Sequence, residues 1–125
     1  LIRTASNKLR DIGISVILPT SLSNGLASRL GITIKAELQE NSKGVLICGS
    51  GVGMSIAANR DNNIRAGLAF NSEVAGLIRK HNNANVLVLP GRFMNIQEAL
   101  KCINNFLNSN FEGGRHLKRV NKLTK

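Results

Sequence analysis

Cys48 and Ser50 close a short apolar run, Val45–Leu46–Ile47, inside the stretch GVLICGSGVGMSIAAN that spans Gly44 to Asn59. Glycines sit at alternate positions around them, Gly49, Gly51 and Gly53, and Met54, Ile56, Ala57 and Ala58 then read as the first turns of a helix. Strand, glycine loop and helix together turn backbone N–H groups towards an anion. A helix N-terminus also favours negative charge, a thiolate included. A cysteine by itself is more often a buried structural thiol, but the loop around Cys48 reverses that weighting. The glycines are spaced GxGxG, so the loop is neither a GxxxxGK phosphate loop nor a GxGxxG dinucleotide fingerprint.

His81 opens HNNANVL at the junction of a predicted helix and strand, a second point on the rim of a sheet. Taken alone it reads equally well as a helix C-terminal histidine favoured by the dipole. Asn82, Asn83 and Asn85 can bond sugar hydroxyls or form turns. Arg92 follows the next predicted strand in Pro90–Gly91–Arg92, and Arg115, His116 and Arg119 follow Gly113–Gly114. A planar guanidinium donates two hydrogen bonds at once to a phosphate, although solvated charge is the commoner fate of any one arginine. A potential base, anion-facing amides, a histidine and phosphate-binding arginines suit proton abstraction beside the carbonyl of a sugar phosphate. That chemistry needs a base poised near neutral pH and donors for an enediolate oxygen. It needs no metal, and the spacing of the chain reveals no metal-ligand cluster.

The elements that must position these residues alternate along the chain. Periodicity predicts a helix over 1–12 stopped by Gly13, a strand over 14–18 ended by Pro19, and a helix over 26–40 with Leu26, Leu30, Ile34 and Leu38 on one face. Gly31 and the β-branched Ile32–Thr33–Ile34 weaken that second helix. Beyond the glycine loop come a buried strand over 64–70 and a helix over 72–81. Asn71 caps that helix, which carries Glu73 in its first turn and Val74, Leu77 and Ile78 inward. An apolar strand over 85–89, an amphipathic helix over 96–107, an irregular linker and a basic segment over 115–125 follow. In that last segment Leu117, Val120 and Leu123 recur at three-residue steps. Continuous apolar strands between helices imply a mostly parallel sheet covered on both faces, an α/β single domain over 1–125.

Composition narrows the partners. The net charge is +10, from 17 Lys and Arg against 7 Asp and Glu, which favours anions. Trp and Tyr are absent and Phe numbers 4, so the stacking platforms of single-strand nucleic-acid binders are missing. No run is apolar and long enough to span a bilayer. Two cysteines, Cys48 and Cys102, make no disulfide framework; reduced thiols in the cytoplasm are expected, with Cys102 as core. The chain opens on Leu1 rather than Met, which reads as an incomplete reading frame.

Three segments in order, LICGSGVGMSIAAN, HNNANVLVLPGR and FEGGRHLKRV, resemble the signature motifs of the ribose-5-phosphate isomerase B family, which includes the galactose-6-phosphate isomerase subunits. The likeness runs from about Gly44 to the C-terminus, leaving 1–43 truncated or diverged. It implies a Rossmann-like three-layer α/β/α domain, a homodimer with active sites between subunits, and cofactor-free interconversion of ribose 5-phosphate and ribulose 5-phosphate. By the same resemblance Cys48 moves the proton between C1 and C2. Ser50, where the family usually has Thr, helps open the furanose ring, and Gly49, Gly51, Val52 and Gly53 form the anion hole. His81 matches the histidine of ring opening or substrate binding, with Asn82 beside it. Arg92, Arg115 and Arg119 match phosphate-contacting arginines, and His116 the histidine of the GGRH motif. The C-terminal helix is expected to reach a partner subunit. Two motifs do not match. The family opens with a strand ending in Asp-His-Ala-Gly, and Leu1 aligns just after it; an Asp-Tyr-Pro-Asp-like motif has no counterpart in Ser21 to Ser28. A six-carbon sugar phosphate as substrate and a non-catalytic sugar-phosphate-binding homologue are the competing readings; nucleic-acid binding rests on charge alone.

Overall fold

The computed structural model describes residues 14–17 and 43–123. The helices expected over 1–12 and 26–40 lie outside the described residues. Strands β1 (Ile14–Ile17), β2 (Lys43–Cys48), β3 (Ala66–Leu68) and β4 (Val86–Pro90) form one parallel sheet in the order β1-β2-β4-β3. Helices α1 (Val52–Ala58), α2 (Ser72–Asn82), α3 (Ile96–Leu107) and α4 (Arg115–Asn121) complete the described elements.

The sheet is apolar on both faces because both are covered. Every residue of β4 is buried. Side chains alternate across a strand, so Val45, Leu87 and Leu89 point one way, into a cluster with Ala75 and Ile78 of α2 and Cys102, Ile103 and Phe106 of α3. Leu46, Val86 and Val88 point the other way, against Met54 and Ala58 of α1. Three layers, helix, sheet and helix, follow from that alternation, as the continuous apolar strands implied.

Topology sets where a ligand can enter. Strand β2 continues into α1 on one face, whereas β4 continues into α3 on the opposite face. The two strands are neighbours, paired from Gly44 with Val86 to Cys48 with Pro90. Where adjacent parallel strands send their next helices to opposite faces, a crevice opens at their carboxyl ends.

Helix ends follow the sequence closely. Asn71 Oδ1 accepts from the Val74 N–H at 2.9 Å, and Asn95 Oδ1 from the Glu98 N–H at 2.8 Å. Each side chain satisfies one of the donors that a helix start leaves unpaired. Glu98 Oε1 also accepts from the Ser72 N–H at 2.7 Å, tying the starts of α2 and α3 together. Burial, and then the nearby Glu98, push the Cys102 thiol up to about 11, as suits a core residue.

One expectation needs correction. The strand expected over 64–70 is only Ala66–Leu68, and it is half-buried. Among the described residues it is an edge strand, and a side chain meets its outer side: Asn59 donates to the Ala66 carbonyl at 2.9 Å and accepts from the Ala66 N–H at 2.8 Å. An amide mimicking one residue of a neighbouring strand also blunts the edge. Leu117 of α4 and Leu123, just beyond its end, are exposed, while His116 and Val120, four apart, are buried. The helical period therefore turns His116 and Val120 inward and leaves both leucines outside.

Phe106 is fully buried between the sheet and two helices. Phe106→Ala should destabilise the fold by about 3–5 kcal/mol, through lost burial plus the cavity left behind. Urea unfolding of the two chains measures this, and a difference under about 1 kcal/mol would contradict the packing described.

Candidate active site

The carboxyl end of β2 delivers Cys48, half-buried, on the face that α1 covers. Beyond it the backbone pairing of β2 and β4 continues into their loops. The Gly91 N–H donates to the Cys48 carbonyl at 2.7 Å and the Arg92 N–H to the Gly49 carbonyl at 3.0 Å. Arg92 is thereby laid over the glycine loop: a Cβ built on Gly49 would lie 3.2 Å from Arg92 Nε. Ser50 Oγ accepts from the Val52 N–H at 3.3 Å and is otherwise exposed. Gly51 adopts φ +79°, the left-handed region open chiefly to glycine. In front of Gly53 the space is open, with no described atom within 4 Å of an added Cβ. Cys48, Ser50, Gly49 to Gly53 and Arg92 thus share one rim. Val52, Ile56, Phe70 and Phe93 expose apolar surface around it.

The remaining expected residues gather elsewhere. Helix α2 starts after the carboxyl end of β3 and returns to the amino end of β4, so its 11 residues span roughly 16 Å. His81 and Asn82 close that helix, at the end of the sheet away from Cys48. The rim expected to hold both His81 and Cys48 is therefore two rims, because a right-handed crossover must carry the chain back the length of the sheet. His81 stacks on His116, with ring centroids 4.3 Å apart and planes inclined by 11°. Glu112 Oε1 lies 3.5 Å from His81 Nε2. Arg115 and Arg119, on the same short helix as His116, belong to this second group rather than to that of Arg92. Asn82 lines a cavity of about 410 Å³ with Asn59, Asp61, Arg65 and Leu123 among its walls.

His116 is 8% exposed. Burial, then the neighbouring His81 and Arg115, hold its imidazole below the usual histidine range, with Arg119 adding to this and Glu112 working against it. His81, Glu112 and His116 bring three ligand atoms within 4.8 Å of one another, a grouping that sequence spacing did not reveal. The two rings lie face to face, so their in-plane lone pairs run side by side instead of converging, and two arginines stand near. That arrangement suits an anion better than a cation. Glu112 is the residue that the sequence reading missed. Its signal was present: it is the only acidic residue after Glu98, and it sits directly before the glycine pair and the basic helix.

The Ribose/Galactose Isomerase family model matches residues 25–123. The chain is 43% identical over 113 residues to the "Probable ribose-5-phosphate isomerase B" of Mycoplasma pneumoniae, covering 90% of this chain and 73% of that one. To the ribose-5-phosphate isomerase B of Escherichia coli it is 43% identical over 81 residues, 65% of this chain and 54% of that protein. It spans only slightly more than half the length of several curated relatives that it matches. Among solved structures, ribose 5-phosphate isomerase B from Anaplasma phagocytophilum superposes with a TM-score of 0.78 at 42% identity, covering 94% of this chain and 83% of that one. The Mycoplasma genitalium isomerase B with bound ribulose 5-phosphate gives 0.72 at 38% identity, with coverage of 81% and 68%. No helix among the described residues is long and apolar enough to cross a membrane.

Two measurements probe this geometry. Gly51→Ala should destabilise the chain by on the order of 1–2 kcal/mol, since Leu68 can swing aside but the positive φ remains costly. Gly53→Ala, facing open space, should stay near wild type; equal unfolding midpoints for both variants would remove the conformational role of Gly51. The lowered basicity of His116 means that the unfolded chain takes up its proton first. Its contribution to stability is therefore complete above the ordinary value of 6.5 and is lost as pH falls from there to the folded-state value. Urea midpoints at pH 8 and pH 5 should drop more in the wild type than in His116→Gln; equal drops would contradict this.

Proposed function

The chain belongs to the ribose/galactose isomerase family, and on that premise we propose that it interconverts ribose 5-phosphate and ribulose 5-phosphate without a cofactor. The observation that carries this reading is Cys48 at the carboxyl end of β2, paired with the end of β4, beside a glycine loop overlaid by Arg92. In the opening step the anomeric O1 hydroxyl gives up its proton to solvent as C1=O1 forms and the bond from C1 to the ring oxygen breaks, and His81 protonates the departing ring oxygen with the Ser50 hydroxyl assisting. Cys48 as thiolate then removes the proton from C2, which the new C1 carbonyl makes acidic. Charge moves onto the carbonyl oxygen, and the backbone N–H groups of Gly49, Gly51, Val52 and Gly53 hold the resulting enediolate. Cys48 returns the proton to C1 while the O2 proton transfers to O1, leaving a ketone at C2. Arg92, Arg115 and Arg119 grip the phosphate.

One copy keeps these groups about a strand's length apart, so the proposed site is shared. His81, Asn82, Arg115, His116 and Arg119 of one subunit complete the Cys48 rim of another in a homodimer. The exposed Val52 and Ile56 on α1, beside that rim, supply apolar surface for such a contact. A second reading, sugar-phosphate binding without turnover, is favoured by the segment Ser21 to Ser28, which carries no counterpart of the family's Asp-Tyr-Pro-Asp-like motif.

Ketose formation from ribose 5-phosphate decides between them, with galactose 6-phosphate tested in parallel. Cys48→Ala should lower kcat by at least about 10²-fold, the usual contribution of a positioned base. Binding seen by calorimetry without ketose would favour the second reading. Shared sites predict complementation: co-refolded Cys48→Ala and His81→Ala chains should recover about a quarter of wild-type activity, since half the dimers carry one intact site. No recovery would place every catalytic group in one copy.

A further inference from the structure

We infer that Glu112 is a positioning residue for His81: its carboxylate holds the edge of the imidazole while His116 backs its face, so the ring meets a sugar in one orientation. The inference rests on the reading of His81 as the group that opens the sugar ring. His81 is the penultimate residue of α2 and its side chain is 37% exposed. An imidazole so placed, without support, samples several rotamers, and ordering it has an entropic cost. Two contacts from perpendicular directions remove that freedom: Glu112 Oε1 at 3.5 Å from Nε2, and the His116 ring stacked at 4.3 Å.

The backbone around Glu112 is fixed independently of its side chain. Its N–H donates to the Lys80 carbonyl at 3.0 Å, satisfying one of the acceptors that the end of α2 leaves unpaired. Gly113 and Gly114, both at positive φ (66° and 52°), then reverse the chain. An added Cβ at either glycine meets no described atom within 4 Å, so conformation rather than space demands glycine there. The reversal starts α4, and the second residue of that helix, His116, lands on His81. The stretch EGGRH therefore works as one unit: an acid for the ring's edge, two glycines for the turn, and a second ring for its face.

Charge supports the same assignment. The groups facing the histidine pair are Glu112, Arg115 and Arg119, with Lys80 preceding His81 on its own helix. Glu112 is the only acid in that set. A carboxylate at the edge of an imidazole fixes which nitrogen carries the proton and stabilises the ring when charged. Glutamine at 112 would keep the shape and the backbone bond to Lys80 while removing that charge.

The test compares wild type, Glu112→Gln and Glu112→Asp in the full chain. With ribose 5-phosphate, Glu112→Gln should lower kcat about ten-fold with KM within about two-fold, the pattern of lost orientation rather than lost binding. Glu112→Asp, with its charge retained, should recover part of that loss. Proton NMR of the imidazole rings needs no turnover: in Glu112→Gln the His81 ring signals should shift and His116 should titrate lower than in wild type, since Glu112 raises it. Unchanged ring signals, or a change confined to KM, would overturn the inference. A wild-type chain that turns over no ribose 5-phosphate would sink the isomerase reading, and the ring signals would then decide the clamp alone.

Discussion

Two backbone hydrogen bonds beyond the end of the sheet hold the candidate site together: Gly91 N–H to the Cys48 carbonyl, and Arg92 N–H to the Gly49 carbonyl. They extend the pairing of β2 and β4 into loops that would otherwise diverge. Through them a guanidinium lies over a glycine loop that directly follows Cys48. The apolar pairing behind them, Leu46 beside Val88 and Ile47 beside Leu89, makes the register costly to slip. A shift of one residue would turn each side chain to the wrong helix layer.

That anchoring has a consequence for the rest of the molecule. A parallel sheet requires each crossover helix to return the chain to the starting end of the strands. Any residue at the end of such a helix is then remote from the strand carboxyl ends. His81 and Asn82 obey this rule, and α4 packs near them, bringing Arg115, His116 and Arg119 along. One subunit carries two partial constellations, a nucleophilic rim and a basic, histidine-rich end. A crossover helix that runs back along a parallel sheet makes that division unavoidable for residues at these positions.

The stabilising details outside the two constellations are local and polar. Asn71 and Asn95 start the helices on the α2–α3 face, Asn59 closes the open edge of β3, and Asn85 bonds the backbone of Arg65 and Asn63 at 2.8 Å each. Asparagine suits these tasks because one amide both donates and accepts. The connections are thereby held by side-chain amides rather than by further apolar packing.

The sequence by itself determined the strands of the central sheet, the glycine loop with Cys48 and Ser50, the caps at Asn71 and Asn95, and the family. Each of these rests on near neighbours in the chain: alternation within a strand, a side chain reaching three residues on, a motif read in order. Tertiary structure alone decided that β3 is short, that His116 rather than Leu117 faces inward, that Arg92 parts company with Arg115 and Arg119, and that Glu112 meets His81. Those contacts join residues brought together by crossovers and by the turn at Gly113–Gly114. Spacing along the chain carries no record of which end of the sheet a helix finishes on until the sheet itself exists.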